Sequence, residues 1–153
     1  MLFLECKVAG AAKKMKWWSG LWIVFLLCGC GGPAGIEDPG RFQVNPQGVI
    51  LDRHTGLQWA PDPGQGLTWQ QAGEYARNLR LGGHGDWRLP SRAELKRLGA
   101  AGLDPVFKLA GNVAWSSERE DDSSAWEYHF REGREYWLFL NRQARALAVR
   151  SSK

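Results

Sequence analysis

Cysteine is almost absent from this sequence. The 153 residues include three cysteines, Cys6, Cys28 and Cys30, and all of them lie within the first 30 residues. A mature chain that begins at Cys30 keeps a single thiol, which excludes an intrachain disulfide and a cysteine-based zinc site. A domain of about 110 residues can bury enough apolar surface to fold without such cross-links.

The common patterns of metal-binding and catalytic residues are also missing. His54, His84 and His129 are scattered, and no H-x-x-x-H, H-E-x-x-H or G-x-S-x-G pattern occurs. Residues 118–122 read E-R-E-D-D, without the spaced oxygen ligands that calcium requires. We therefore expect no metal, no cofactor and no catalysis. A diverged enzyme is the remaining alternative, and its sign would be a polar cluster in a pocket.

The chain lacks a strong excess of charge outside its N-terminus. Four of its 20 Lys and Arg residues precede residue 17, and from residue 30 onward 16 basic residues face 15 acidic ones. A nearly neutral domain lacks the electrostatic footprint of a nucleic-acid binder. Arg92, Lys96 and Arg97 form a small basic cluster, which we interpret as a solvated helix face rather than a site for sulfated glycans.

The N-terminus has the organisation of a secretory signal. Basic residues precede W-W-S-G-L-W-I-V-F-L-L-C-G at 17–29, an apolar run shorter than the ~20 residues that span a bilayer. The run ends in L-C-G-C, which resembles a bacterial lipobox with Cys30 as the lipid-carrying residue. Cys28 fits less well because Leu27 precedes it. Met15 is an alternative start, since the signal is complete from there.

These features predict three parts along the chain. Residues 1–29 form the signal peptide, residues 30–40 the lipidated Cys30 and a tether with four glycines and two prolines, and residues 41–153 the globular domain. Lipid on Cys30 would hold the protein on a membrane. In Gram-negative lipoproteins an Asp after the cysteine accompanies inner-membrane retention. Gly31 therefore favours the outer membrane, facing either the periplasm or the cell surface.

Six short stretches of the domain have strand-like patterns. They cover residues 41–44, 49–51, 56–60, 125–130, 134–140 and 146–150. Strict alternation of apolar and polar residues in the fourth stretch predicts a strand with one buried face. Turn residues separate the stretches, for example N-P-Q-G between the first two.

Two helices are expected between the third and fourth strands. Thr68-x-x-Gln71 and Ser91-x-x-Glu94 both have the spacing of a capping box, and apolar residues follow each at helical intervals. The glycines that should end the helices are Gly82, Gly83 and Gly99. Two helices in a mostly antiparallel β chain give an α+β fold.

Tryptophan is abundant in the domain, at residues 59, 69, 87, 115, 126 and 137. Helical or strand periodicity places Trp69 and Trp126 in the core, and we expect Trp87 and Trp115 there as well. Trp137 is left open between the core and a binding surface. Such large side chains can replace disulfides in holding a loop-rich domain together.

Arg88 stands between Trp87 and Leu89, just before a proline and a capped helix. An arginine in such a position is usually paired with a carboxylate. We expect its partner to be Asp86 or Glu94.

A ligand-binding face is expected on the C-terminal strands. The alternation over 125–130 places Glu127 and His129 opposite the apolar side chains of residues 126, 128 and 130. The candidate ligand-binding residues are Glu127, His129, Arg134 and Trp137.

Several motifs occur in an order that resembles one family. They are T-G-L-Q-W at 55–59, T-W-Q-Q-A at 68–72, D-W-R-L-P-S at 86–91, W-S-S at 115–117 and V-R at 149–150. Over residues 41–151 the chain resembles the Lcl C-terminal domain, a family of unknown function named after a bacterial collagen-like adhesin. The resemblance implies a C-type-lectin-like fold, related to that of formylglycine-generating enzymes, and a secreted setting.

Two departures limit what the resemblance implies. The sequence has no collagen-like Gly-x-y period, and Ser151 follows Arg150 where relatives often carry a cysteine. The enzymes of the related fold act through cysteines that the mature chain lacks. Two functional hypotheses follow: a lectin-like module that binds a glycan, matrix or envelope component, or a structural lipoprotein that contacts another envelope protein without binding sugar.

Overall fold

A computed structural model describes residues 40–102, 106, 107, 109 and 113–152. The predicted signal peptide, Cys30 and the tether up to residue 39 lie outside the described residues. None of the helices in the described part of the chain is long and apolar enough to cross a bilayer.

The described residues form nine strands and two helices. In chain order they are β1 (Phe42–Val44), β2 (Ile50–Asp52), β3 (Leu57–Trp59), β4 (Gly64–Leu67), α1 (Trp69–Asn78), α2 (Arg92–Ala100), β5 (Val113–Arg119), β6 (Ser124–His129), β7 (Arg134–Phe139), β8 (Ala144–Ala146) and β9 (Val149–Ser151). The strands build a four-stranded sheet in the order β1-β2-β3-β9 and a five-stranded sheet in the order β4-β8-β5-β6-β7. Among the described strands, only β5 and β8 pair in parallel. The expected α+β class with a mostly antiparallel arrangement and two helices is confirmed.

The helix α1 begins as the sequence predicts and ends earlier. The Thr68 side chain accepts a hydrogen bond from the Gln71 amide, and the Gln71 side chain accepts one from the Thr68 amide. The helix ends at Asn78 because Leu79 adopts extended backbone, before the glycines at 82–83 are reached. Its buried face carries Ala72 and Ala76.

The second helix, α2, has the same cap, made by Ser91 and Glu94. Gly99, expected to follow the helix, lies within its last turn. A Cβ at this position would lie 2.5 Å from Cε1 of Tyr128, so the glycine allows the β6 strand to pack closely against the helix.

The C-terminal prediction of one strand over 146–150 is wrong. Within this segment β8 ends at Ala146 and β9 begins at Val149, and the two strands belong to different sheets. β9 pairs with β3, with Val149 opposite Trp59, and forms an outer strand of the four-stranded sheet. The strands β4 and β5 were not predicted. Residues 61–64 look like a turn that separates two elements, and residues 115–122 look like a motif followed by an acidic loop.

The five-stranded sheet is covered on both faces. Trp115 and Ala125 pack with α1 residues in one hydrophobic cluster, whereas their strand neighbours Ala114 and Tyr128 pack with Leu95 and Leu98 of α2 in the other. Since side chains alternate along a strand, the two helices lie against opposite faces. The prediction that β6 has a single buried face is therefore wrong.

The tryptophans divide into two groups. Trp59, Trp87 and Trp115 are buried, as expected for the last two. Trp69 and Trp126, both predicted to be core residues, are only partly buried. Trp69 lies at the margin of the α1 cluster, and its indole Nε1 donates a hydrogen bond of 2.9 Å to the Ser116 carbonyl oxygen.

Candidate functional site

The four predicted site residues lie on two opposite faces of the β6–β7 hairpin. The register pairs His129 with Arg134 and Trp126 with Trp137. Paired residues of antiparallel strands point to the same face. Glu127, His129 and Arg134 therefore share one face, and Trp137 lies on the other. The grouping of all four on one binding face is corrected.

One face carries an aromatic strip, which consists of the partly buried Trp126 and the exposed Trp137 and Phe139. The side chains of Trp137 and Phe139 are 53% and 52% exposed, and their ring centroids lie 5.7 Å apart in an edge-to-face arrangement. Trp126 is directly opposite Trp137 in the register. The strip lies on the α2 side of the sheet, where Arg92 of the helix covers part of Trp126, while the rings of Trp137 and Phe139 are open to a partner.

An ion pair borders the aromatic strip. The Arg92 guanidinium lies 3.8 Å from the centroid of the Trp126 ring and donates hydrogen bonds of 3.1 and 3.0 Å to the Glu135 carboxylate. These bonds hold the pKa of Glu135 below its usual value. The first member of the predicted basic cluster is thus paired, while Lys96 and Arg97 are exposed.

The acidic segment at 118–122 has structural contacts. The Glu118 carboxylate accepts a hydrogen bond of 2.9 Å from the Arg92 amide at the start of α2. The Asp121 carboxylate accepts hydrogen bonds from the amide and hydroxyl of Ser123, which lower its pKa to about 2. Across residues 40–102, 106, 107, 109 and 113–152, no group of three His, Cys, Asp or Glu residues is placed to hold a metal ion.

The opposite face of the hairpin carries a polar cluster, which consists of Glu127, His129, Glu132, Arg134 and Tyr136. The His129 Nε2 lies 2.8 Å from Oε1 of Glu127, whose residue is only 7% exposed. The Tyr136 hydroxyl donates a bond of 2.7 Å to Glu132, which raises the pKa of the tyrosine. The cluster borders a cleft of about 440 Å³ that Gly66 and Gln143 also line.

A third feature, the α1 groove, has a volume of about 580 Å³. It is lined by Trp69, Gln70, Gly73, Glu74, Arg77, Arg88, Leu89 and Ser117. The first five residues form one stripe along α1, at the spacing that places side chains on the same helix face. The sequence did not predict this groove, although three of the quoted motifs, at 68–72, 86–91 and 115–117, supply residues to its lining, and the interior glycine of the helix was a further usable signal.

Arg88 forms the far wall of the groove. Its two terminal nitrogens donate hydrogen bonds of 2.8 and 2.7 Å to the Glu94 carboxylate. Of the two predicted partners, Glu94 is therefore confirmed. Asp86 pairs instead with Arg150, whose Nε lies 2.7 Å from Oδ1 of the aspartate.

Comparison with known proteins now decides the family. Residues 48–150 match the Lcl C-terminal domain. The chain belongs to this family. No curated protein matches the sequence. A crystal structure of botrocetin resembles 74% of this chain and 98% of that chain, with 11% sequence identity and a TM-score of 0.45, a likeness that carries no argument about function.

In this Lcl C-terminal domain the D-W-R-L-P motif has a framework role. Trp87 and Leu89 are buried, Arg88 holds Glu94 at the start of α2, and backbone hydrogen bonds of 2.9 Å in both directions join Arg88 to Val149 near the C-terminus. Trp137 and Phe139 lie outside the family motifs quoted above. The residues of this motif therefore contribute to holding the domain together, whereas the exposed aromatic residues lie outside it.

Proposed function

We propose that this Lcl C-terminal domain is the non-catalytic binding module of a lipoprotein anchored in the cell envelope, with the outer membrane as its location. Lipid on Cys30 holds the protein on the membrane, and the aromatic strip binds a glycan of the matrix or the envelope. The C-type-lectin-like fold implied by the family resemblance is part of the same proposal.

The exposure of Trp137 and Phe139 is the observation that carries this proposal. Two large apolar side chains that are more than half exposed on one sheet face form a patch of the kind that marks interaction sites. Aromatic rings present flat apolar faces, which suit the C–H-covered faces of sugar rings. Because β6 and β7 pair over six residues, the rings are presented on a fixed support.

The Arg92–Glu135 pair supplies polar groups beside the rings. Binding sites combine an apolar lining with a few placed hydrogen-bonding groups that give specificity. Arg92 uses Nε and Nη2 for Glu135, and a guanidinium has five N–H donors in all. Sugar hydroxyls that reach this border can accept from the arginine and donate to the carboxylate.

A glycan array with the lipidated full-length chain in detergent micelles tests the proposal. We expect at least one glycan to bind, and we expect Trp137→Ala to weaken that binding about tenfold, equivalent to about 1.4 kcal/mol. Val44→Ala is the matched control, because Val44 is 52% exposed but lies in β1 of the other sheet. Equal binding by the two variants would remove the strip as the site.

The position of β7 favours a second candidate function. β7 is an outer strand of its sheet, and an outer strand with exposed aromatic residues is a template for pairing with another chain. In this alternative the protein is a structural lipoprotein that contacts another envelope protein. A photo-cross-linking residue at position 137 in intact cells separates the two: one stoichiometric protein partner together with a blank array favours the structural function.

The anchor requires its own test. Cys30→Ser removes the thiol that would carry the lipid, so we expect the protein to leave the membrane fraction or to accumulate unprocessed, without labelling by a radioactive fatty acid. Unchanged fatty-acid labelling of the variant would show that Cys30 is not the lipidated residue.

A further inference from the structure

We propose that the α1 groove is a second binding site, separate from the aromatic strip, and that it takes the carboxylate-bearing ring of an acidic sugar. The groove lies against α1 and is lined by residues that the proposed glycan site does not use. The two sites therefore make independent predictions.

The indole of Trp69 gives the groove a fixed aromatic wall. Its Nε1 donates to the Ser116 carbonyl oxygen at 2.9 Å, and the Arg119 guanidinium lies 5.8 Å from the ring centroid. An aromatic side chain with its polar atom satisfied loses little on binding, because its orientation is already set. A ring-shaped ligand can stack on the face of this indole that borders the groove.

Arg77 gives the groove its preference for an anion. Within the described residues, no side-chain hydrogen bond or ion pair of Arg77 occurs, and its guanidinium lies over Gly73, where an added Cβ would approach Nη1 to 3.2 Å. The other lining arginine, Arg88, is already neutralised by Glu94. Glu74 is the single carboxylate of the lining, and it forms no ion pair with Arg77. Arg77 therefore remains available for a ligand carboxylate, with which a guanidinium forms two parallel hydrogen bonds.

Gly73 supports a binding role because a glycine in a helix interior is unfavourable. It lowers helix stability relative to alanine by about 1 kcal/mol. The atoms that an added Cβ would meet belong to the flexible end of Arg77, so packing of the domain does not demand a glycine here. The missing side chain leaves the floor of the groove open for the Arg77 guanidinium and a ligand.

Gln70, Glu74 and Ser117 complete the chemistry of the groove. Their amide, carboxylate and hydroxyl groups line it beside the indole, and together they can donate to and accept from ring hydroxyls. An indole wall, a cation on the floor and polar groups at the rim match an acidic monosaccharide unit better than a neutral or purely apolar ligand. The carboxylate can belong to a lactyl group joined to the ring by an ether bond, as in N-acetylmuramic acid, or it can be C6 of a uronic acid.

Two pairs of sugars test the proposal. The lipidated full-length protein in detergent micelles is titrated, by ligand-observed NMR, with N-acetylmuramic acid against N-acetylglucosamine and with glucuronate against glucose. We expect the acid of at least one pair to bind about tenfold more tightly than its neutral partner. Whichever pair shows the preference identifies the source of the carboxylate. Equal binding within both pairs would overturn the proposal.

Three variants assign any preference to the groove. Arg77→Gln should abolish the preference for the acid, and Gly73→Leu should block both members of the pair by filling the floor. Arg97→Gln is the matched control, because Arg97 is an exposed helical arginine that does not line the groove. A preference that survives Arg77→Gln, or that Arg97→Gln removes as well, contradicts the assignment. Trp137→Ala should leave this binding unchanged, so failure of the aromatic strip as a site is distinguishable from failure here.

Discussion

The buried and the exposed tryptophans of this domain make different contributions. Trp59, Trp87 and Trp115 are almost completely inaccessible. They lie in the two hydrophobic clusters in which the sheets pack against the helices. Trp126 and Trp137 lie on the surface of the β6–β7 hairpin, with Arg92 stacked on the first and Phe139 beside the second. The abundance of tryptophan in the sequence therefore has two separate causes. Some indoles stabilise the fold, and others are available to a partner.

The largest effect should come from the buried group. Trp115→Ala removes a fully buried side chain whose Nε1 donates a hydrogen bond of 2.9 Å to the Leu67 carbonyl oxygen. We expect a loss of about 3–5 kcal/mol in the free energy of unfolding, measured by chemical denaturation. A loss below about 1 kcal/mol would show that the buried indoles are not the main source of stability.

The interior also holds a carboxylate whose removal should cost nearly as much. Asp52 is almost inaccessible, and both of its oxygens accept hydrogen bonds from Arg41, at 2.9 and 2.7 Å. We expect Asp52→Asn to lower the free energy of unfolding by about 3 kcal/mol, because the variant removes one partner of a buried ion pair. Chemical denaturation at neutral pH measures the change, and a neutral result would place the stability of this sheet elsewhere.

The same carboxylate predicts a pH dependence. Burial acts to raise the pKa of Asp52, but hydrogen bonds from Arg41, Thr55 and the His54 amide outweigh it and hold the pKa below its usual value. The ionised group therefore stabilises the fold above about pH 4, and this stabilisation is lost as the pH falls through the folded-state pKa. The free energy of unfolding, measured between pH 2 and 6, should change less with pH for Asp52→Asn than for the natural chain.

A smaller effect, of opposite sign, is expected in the α1 groove. Gly73→Ala should raise the free energy of unfolding by about 0.5–1 kcal/mol, since alanine favours the helix and the nearest atom is the movable end of Arg77. Thermal unfolding measures this change. Destabilisation would mean that the glycine is required for packing, which would contradict its role in keeping the groove floor open.

The smallest effect on stability should come from the exposed group. Trp137→Ala should change the free energy of unfolding by less than about 0.5 kcal/mol, because more than half of this side chain is in solvent. Denaturation of this variant alongside Trp115→Ala compares the two groups directly. Losses of similar size would contradict the division between them.

The local signals in the sequence predicted much of the fold. Both helix starts follow from capping boxes, because the side chain and the amide that bond to each other are three residues apart. The end of α1 could not be predicted in the same way, since Leu79 leaves the helix before any glycine. The strands β4 and β5 were not predicted because residues 61–64 look like a turn and residues 118–122 like an acidic loop, and the pairing of each strand is interrupted by a register shift that the sequence does not show.

The candidate site was harder to predict than the fold. Alternation correctly separated Glu127 and His129 from Trp126, but a sequence does not say that α1 and α2 cover both faces of the same strand. It also does not give the register of β6 and β7, which places Trp137 with Trp126. The α1 groove combines a helix stripe with Arg88 from a distant segment, so no single window of the sequence contains it.

We propose that the aromatic strip binds a ligand without supporting the fold, and one variant tests both parts of this proposal. Trp137→Ala is assayed for binding to the glycan found on the array and, in the same preparation, for its free energy of unfolding. We predict binding about tenfold weaker with a stability within about 0.5 kcal/mol of the natural chain. Unchanged binding, or a loss of binding that is matched by unfolding, would contradict the claim.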